Sequence, residues 1–258
     1  MNGPTPGKPF RVEQTWFAEY GQGPPAVLLH PGGVDARSLQ MTVDGMSPYF
    51  RVYTPERRGH GRTPDVDGPM SYEAMAEDAI AFLEANVAGP ASLVGCSDGA
   101  VVALAVAMRR PDLVSRLVCV AGVFNRSGWM NGSDTGEVPD FIRQGYGELS
   151  PDGAGHFDVV MGKLDQMHAT GPTYTAQDLA MLPTRTLIMI GDDDEVSIEH
   201  AAAMYRALPK AELAVVPGTS HGLLVEKPEL CNLLITDFLT KDPVPTFAPI
   251  RRAPDASG

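Results

Sequence analysis

The chain predicts an α/β fold, a mainly parallel sheet with helices on both faces. Three observations lead there. Short apolar runs recur at 26–30 (AVLLH), 91–96 (ASLVGC), 116–124 (RLVCVAGVF) and 184–191 (TRTLIMIG). They lack in–out alternation, which suits strands buried on both faces. Helix-period segments separate them, the order that builds a parallel sheet through crossover connections. The size fits as well: 258 residues, 43% hydrophobic and 20% charged, is ordinary globular composition and enough for one large domain.

Taken in order, residues 1–9 are rich in Pro and Gly and carry no apolar core of a signal peptide. A partly alternating strand is expected over 10–20, then strands at 26–30 and 51–55, the last running into the turn-rich ERRGHGRTPD. Ser71 is placed to cap a helix over 72–87. Tyr72, Met75, Ala79, Leu83 and Val87 share one face of it, and Gly89-Pro90 ends it. The strand at 91–96 leads into 100–110, apolar nearly all round and therefore a central helix. After the strand at 116–124 the alternation breaks. Residues 125–183 read as loops and two or three helices, the clearest over 156–168 with Phe157, Val160, Met161, Leu164 and His168 in one stripe. The pattern resumes with a strand at 184–191, a helix at 197–208, a strand at 212–217 and a helix opening at Pro228. The expected organisation is a core formed by 1–124 and 184–240, an insertion at 125–183, and a proline-containing tail at 241–258.

The formal charge of -12 argues against nucleic acid and anionic membrane surfaces as partners. No apolar run approaches the ~20 residues that span a bilayer. Three scattered cysteines, Cys96, Cys119 and Cys231, form neither a disulfide framework nor a zinc pattern, and suit a reducing cytoplasm. A small-molecule substrate is the expected partner. Oligomeric state stays open, with a homodimer among the options.

Four strand ends carry the chemistry. Gly95-Cys96-Ser97-Asp98-Gly99 joins a buried strand to a buried helix, the setting in which a sharp turn holds a serine hydroxyl clear of the backbone. His30-Pro31-Gly32-Gly33 follows another buried strand. Such a loop can aim N–H groups at an oxyanion; Pro31 has none, so Gly32 is the expected donor, with the Asp98 amide as the second. Gly191-Asp192-Asp193-Asp194-Glu195 offers the acid that orients a base. Asp194 is preferred and Asp193 is second, while the remaining carboxylates read as a solvated loop. His221, in Pro217-Gly218-Thr219-Ser220-His221, follows the last strand and can reach a serine. His200 reads as a surface residue of its helix; His156 and His168 read as packed or solvated in preference to lining a pocket.

Over roughly residues 10–240 the chain resembles the α/β-hydrolase superfamily. Ser97, Asp194 and His221 come in its order of nucleophile, acid and base. His30-Pro31-Gly32 resembles its oxyanion loop, although His-Gly is the usual form. Glu56-Arg57-Arg58-Gly59-His60-Gly61-Arg62 is similar to the loop after its fourth strand, and 125–183 stands where its cap does. The resemblance implies an eight-stranded type of sheet with a small helical cap, and a serine hydrolase acting on a small to medium ester, lactone or thioester without metal or organic cofactor. Carbon–carbon hydrolysis, lyase chemistry and slow-turnover ligand reception are the alternatives. His30, Gly33, Phe157 and Met161 are expected to contact substrate. Asp98, beside the nucleophile, is expected either to meet a cationic or hydroxylated substrate group or to help cap its helix.

Overall fold

In the computed structural model, which describes residues 12–130, 138–243 and 246–249, seven strands form a single open sheet. They are β1 (Phe17–Tyr20), β2 (Pro25–Leu29), β3 (Arg51–Pro55), β4 (Ala91–Cys96), β5 (Val114–Val120), β6 (Thr186–Asp193) and β7 (Ala211–Ser220). Their spatial order is β1-β3-β2-β4-β5-β6-β7. Only the β1–β3 pair is antiparallel.

The continuous apolar runs are explained by two cores, one on each face. Alternate residues of one strand serve opposite cores: Val27 and Leu29 join one, Ala26 and Leu28 the other. The first core holds α2 (Tyr72–Asn86), α3 (Asp98–Arg109) and α7 (Ile198–Ala207). The second holds α1 (Gln40–Met46), α8 (Leu223–Glu226) and α9 (Pro228–Thr240). α3 is buried from Asp98 through Ala107, as its all-round apolar sequence requires. Between β5 and β6 the chain forms α4 (Asp140–Leu149), α5 (Phe157–Thr170) and α6 (Ala176–Ala180). Phe157, Val160, Leu164 and Met167 of α5 join the first core.

Several expectations change. Among the described residues of the strand expected over 10–20, only Phe17–Tyr20 forms a strand, and Val12–Gln14 is a 3-10 turn instead. The sheet therefore has seven strands among the described residues rather than eight, and the ERRGHGRTPD loop follows the third. The tail expected at 241–258 lies mostly outside the described residues. Its first part is held: Arg116 and Arg185 donate to Lys241 O at 2.7 and 2.8 Å. All three cysteines are buried and unpaired. No helix among the described residues is long and apolar enough to cross a membrane.

Candidate active site

The C-terminal ends of four parallel strands converge, the usual place for chemistry in an open α/β sheet. Ser97 follows β4 directly and adopts φ 54°, ψ -122°, backbone that a non-glycine residue rarely takes. The turn fits only because its flanks are small. A β-carbon on Gly95 would overlap the carbonyl of Gly99, and one on Gly99 would overlap the carbonyl of Leu29 in the neighbouring strand. Asp194 and His221 each stand one residue beyond a register pair, Asp193 with Ser220, at the ends of adjacent strands β6 and β7.

This register brings three expected residues into one chain of hydrogen bonds. His221 Nε2 lies 3.0 Å from Ser97 Oγ, and His221 Nδ1 lies 2.8 Å from Asp194 Oδ1. The carboxylate only accepts, so Nδ1 carries the proton and Nε2 accepts from the serine hydroxyl. Asp194 also accepts from the N–H groups of Gly191 (3.0 Å) and Val196 (3.1 Å). Burial would raise its pKa, but His221 and these donors hold it below the usual carboxylate range. At His221 burial depresses the pKa, and the Asp194 hydrogen bond and charge more than offset it, leaving a net rise. Asp193 and Glu195 are exposed. Asp192 is exposed too, but its Oδ1 accepts from Thr219 N–H at 3.0 Å and so braces the loop that carries His221.

The loop after β2 lies against Asp98, whose Oδ2 a β-carbon on Gly32 would overlap. Gly33 N–H donates to His60 Nε2 at 3.2 Å. His30, expected to contact substrate, is wholly buried with both ring nitrogens engaged: Nε2 accepts from Arg57 N–H at 3.1 Å and Nδ1 meets Pro31 O at 2.7 Å. Met161 and Phe157 lie on α5. Met161 Sδ stands 3.5 Å from the position of a β-carbon on Gly33, and Phe157 packs against Tyr146. Beside Gly33 opens a cleft of about 260 Å³ lined by Val34, His60, Ile142, Tyr146, Phe157 and Val160 among others. Ser97 and His221 are not among its walls.

Of the two roles expected for Asp98, the structure contradicts the helix cap. The Asp98 side chain is buried, does not cap α3, and accepts from Tyr72 Oη at 2.7 Å and from His168 Nε2 at 2.9 Å. Burial would raise its pKa, but His168, the Arg57 charge and Tyr72 hold it down at about 2. His168, read as packed or solvated, thus ties α5 to the residue beside the serine. His200, read as a surface residue, is buried: it stacks on Phe124 with ring centroids 4.2 Å apart, and its Nε2 accepts from Phe124 N–H. Burial lowers its pKa to about 4. His156 pairs with Asp65 at 2.8 Å and Lys163 pairs with the same carboxylate at 2.5 Å, which fastens α5 to the loop after β3. Arg57, Tyr72 and His168 were missed as site residues. Tyr72 and His168 stood in helical stripes, and Arg57 in the quoted loop, but no local signal joined them to Asp98.

The alpha/beta hydrolase family matches residues 26–232. A pimeloyl-[acyl-carrier protein] methyl ester esterase of Vibrio campbellii is 35% identical over 105 residues, covering 41% of this chain and 39% of that enzyme. The chain thus spans about two-fifths of that relative's length. A 2-hydroxy-6-oxo-6-(2'-aminophenyl)hexa-2,4-dienoic acid hydrolase of Metapseudomonas resinovorans is 24% identical and covers 88% of both chains. The solved enol-lactonase of Burkholderia xenovorans shares the fold with a TM-score of 0.72 at 19% identity, covering 88% of this chain and 96% of that one. Sequence match and fold agree, and the chain belongs to the alpha/beta hydrolase family.

Proposed function

We propose that this protein is a serine hydrolase that cleaves a small to medium carboxylic ester, lactone or thioester through an acyl-enzyme on Ser97. The observation that carries the proposal is the unbroken chain Ser97 Oγ–His221 Nε2, His221 Nδ1–Asp194 Oδ1 at 3.0 and 2.8 Å. Ser97 Oγ bonds to the substrate carbonyl carbon as its proton passes to His221 Nε2. The carbonyl π pair moves to oxygen and is received by the N–H groups of Gly32 and Asp98. The latter opens α3 and has no intrahelical acceptor. The tetrahedral adduct collapses, the bond to the leaving oxygen or sulfur breaks, and His221 returns the proton to it. Water, losing a proton to the same Nε2, attacks the acyl carbon. Ser97 leaves, recovers the proton, and the acid is released. The largely apolar cleft beside Gly33 supports an apolar acyl or alcohol group of modest size. A cytoplasmic setting belongs to the same proposal, supported by three unpaired buried thiols.

The test is brief exposure to a fluorophosphonate, peptide mapping of the adduct, and a panel of chromogenic esters, thioesters and lactones. Stoichiometric labelling at Ser97 with turnover of the panel is expected; folded protein that takes no label refutes it. A second reading, hydrolysis of a carbon–carbon bond, is favoured by the M. resinovorans relative, because the dienoic acid in that enzyme's name contains no ester linkage. Labelling at Ser97 without turnover of any panel member would favour it.

A further inference from the structure

An acyl-enzyme at Ser97 needs a loop N–H aimed at the tetrahedral oxygen, and the loop after β2 offers two. The Gly33 N–H is already committed to His60 Nε2. His60 Nδ1 donates to Arg58 O at 2.8 Å, which fixes the tautomer and leaves Nε2 as acceptor. Burial and the Arg57 charge keep the ring neutral, with a pKa of about 4. Gly32 is the remaining donor.

The direction of the Gly32 N–H is set by the peptide it shares with Pro31. That peptide is trans, so its C=O and N–H point opposite ways. Two donors seize the carbonyl: Arg57 Nη2 at 2.8 Å and His30 Nδ1 at 2.7 Å. The same Nη2 holds the preceding carbonyl, His30 O, at 2.8 Å, and Arg57 N–H holds the His30 ring. Two consecutive carbonyls therefore face the guanidinium, and the Gly32 N–H faces away from it. Gly32 also presses against Asp98: a β-carbon there would overlap Asp98 Oδ2. Asp98 also supplies the buried guanidinium with its facing negative charge.

We propose that Arg57 is a positioning residue of the oxyanion hole, gripping the Pro31 carbonyl so that the Gly32 N–H points at the oxygen of the tetrahedral adduct. Pro31 suits this arrangement. Its ring fixes φ near -65°, so the peptide has little freedom beyond what Arg57 and His30 remove. A donor held in place before reaction costs no reorganisation when charge develops, and removing one such donor typically costs 10²–10³ in rate.

The proposal rests on Ser97 being the nucleophile, and the experiment separates the two. Wild-type protein is first treated with a fluorophosphonate and with p-nitrophenyl butyrate; failure to form any adduct at Ser97 refutes the nucleophile reading itself. With that adduct in hand, Arg57→Met is expected to lower kcat/KM for p-nitrophenyl butyrate about 10²-fold. The loss falls in kcat, KM stays within about threefold, and affinity for butane boronic acid, which mimics the tetrahedral adduct, falls in parallel. The pH at which activity falls away on the acid side, governed by His221, stays in place. Arg57→Lys, which keeps the cation and a donor, recovers part of the loss. An Arg57→Met enzyme within threefold of wild type, or one whose boronic acid affinity is unchanged, overturns the proposal. A second measurement needs no variant. In ¹⁵N-labelled wild-type protein, phosphonylation of Ser97 should move the Gly32 amide resonance and leave that of Gly33 in place; the reverse overturns the proposal.

Discussion

Asp98→Asn keeps the shape of a buried side chain and removes the one carboxylate that Tyr72, His168 and Arg57 share. A carboxyl held at about 2, rather than near its ordinary 3.9, stabilises the folded chain by about 3 kcal/mol at neutral pH. Because that pKa is depressed, its contribution is present above about 4 and is lost as pH falls from there towards 2. The His168 pKa is raised: burial lowers it, and the Asp98 hydrogen bond and charge, with Asp165 beside it on α5, outweigh burial and the opposing Arg57. Its contribution is therefore present below about 6.5 and is lost as pH rises through the higher folded value. That share is the smaller one, since the ring is half-exposed and screened by solvent. The two describe one interaction and do not add. Asparagine would also leave the Arg57 guanidinium without its facing charge, and breaking a buried ionic contact on one side costs about 3–5 kcal/mol. Urea unfolding at pH 6 should show a loss in that range, shrinking towards pH 9 as the wild-type His168 loses its proton. A loss under about 1 kcal/mol at pH 6, or an equal loss at both pH values, would refute the reasoning. His168 already occupies the carboxylate, so the ranking of neutral against cationic esters should survive the change. A tenfold drop in preference for the cationic ester would put Asp98 in contact with substrate after all.

Ser97→Gly should abolish turnover and yet stabilise the fold by about 1 kcal/mol, because glycine takes the positive φ without the 1–3 kcal/mol of strain a serine carries there; an unchanged or lower urea midpoint would contradict this. Asp194→Asn should cost on the order of 10⁴ in kcat, while Asp193→Asn, at an exposed site, stays within about threefold of wild type. The opposite result would reassign the acid. Hydrolysis of p-nitrophenyl butyrate should decline as pH falls through a value above 6.5, since Asp194 raises His221 against the effect of burial. An apparent pKa below 6 would show that the Asp194 contact is not made in solution.

What could be read from the sequence was whatever is local to a strand end. Ser97 is announced by its small neighbours, and Asp194 and His221 by their places after the last two strands, because strand ends alone determine where those residues emerge. The rest depends on contacts across the fold. Tyr72 and His168 lie 26 and 70 residues from Asp98 in the chain, and the three meet only when α5 settles over α2 and α3. His200 looked solvated because a helix stripe shows which residues share a face, not what a loop will lay on it; Gly128 and Phe124 cover it. The apolar runs signalled strands, but their division into two cores became visible only with the sheet in place. The strand expected over 10–20 is shorter because, among its described residues, only Phe17–Tyr20 finds a partner in β3.

The two tryptophans of the chain stand in unlike surroundings. Trp129 meets the His221 ring edge-on, with centroids 5.9 Å apart, whereas the Arg62 guanidinium covers Trp16 at 4.0 Å. A protonated imidazole withdraws excited-state electron density from a neighbouring indole far better than a neutral one does. Trp129 emission therefore reports the charge on His221 directly, and in a Trp16→Phe background the fluorescence of the resting protein becomes a titration curve of a single histidine, recorded without substrate.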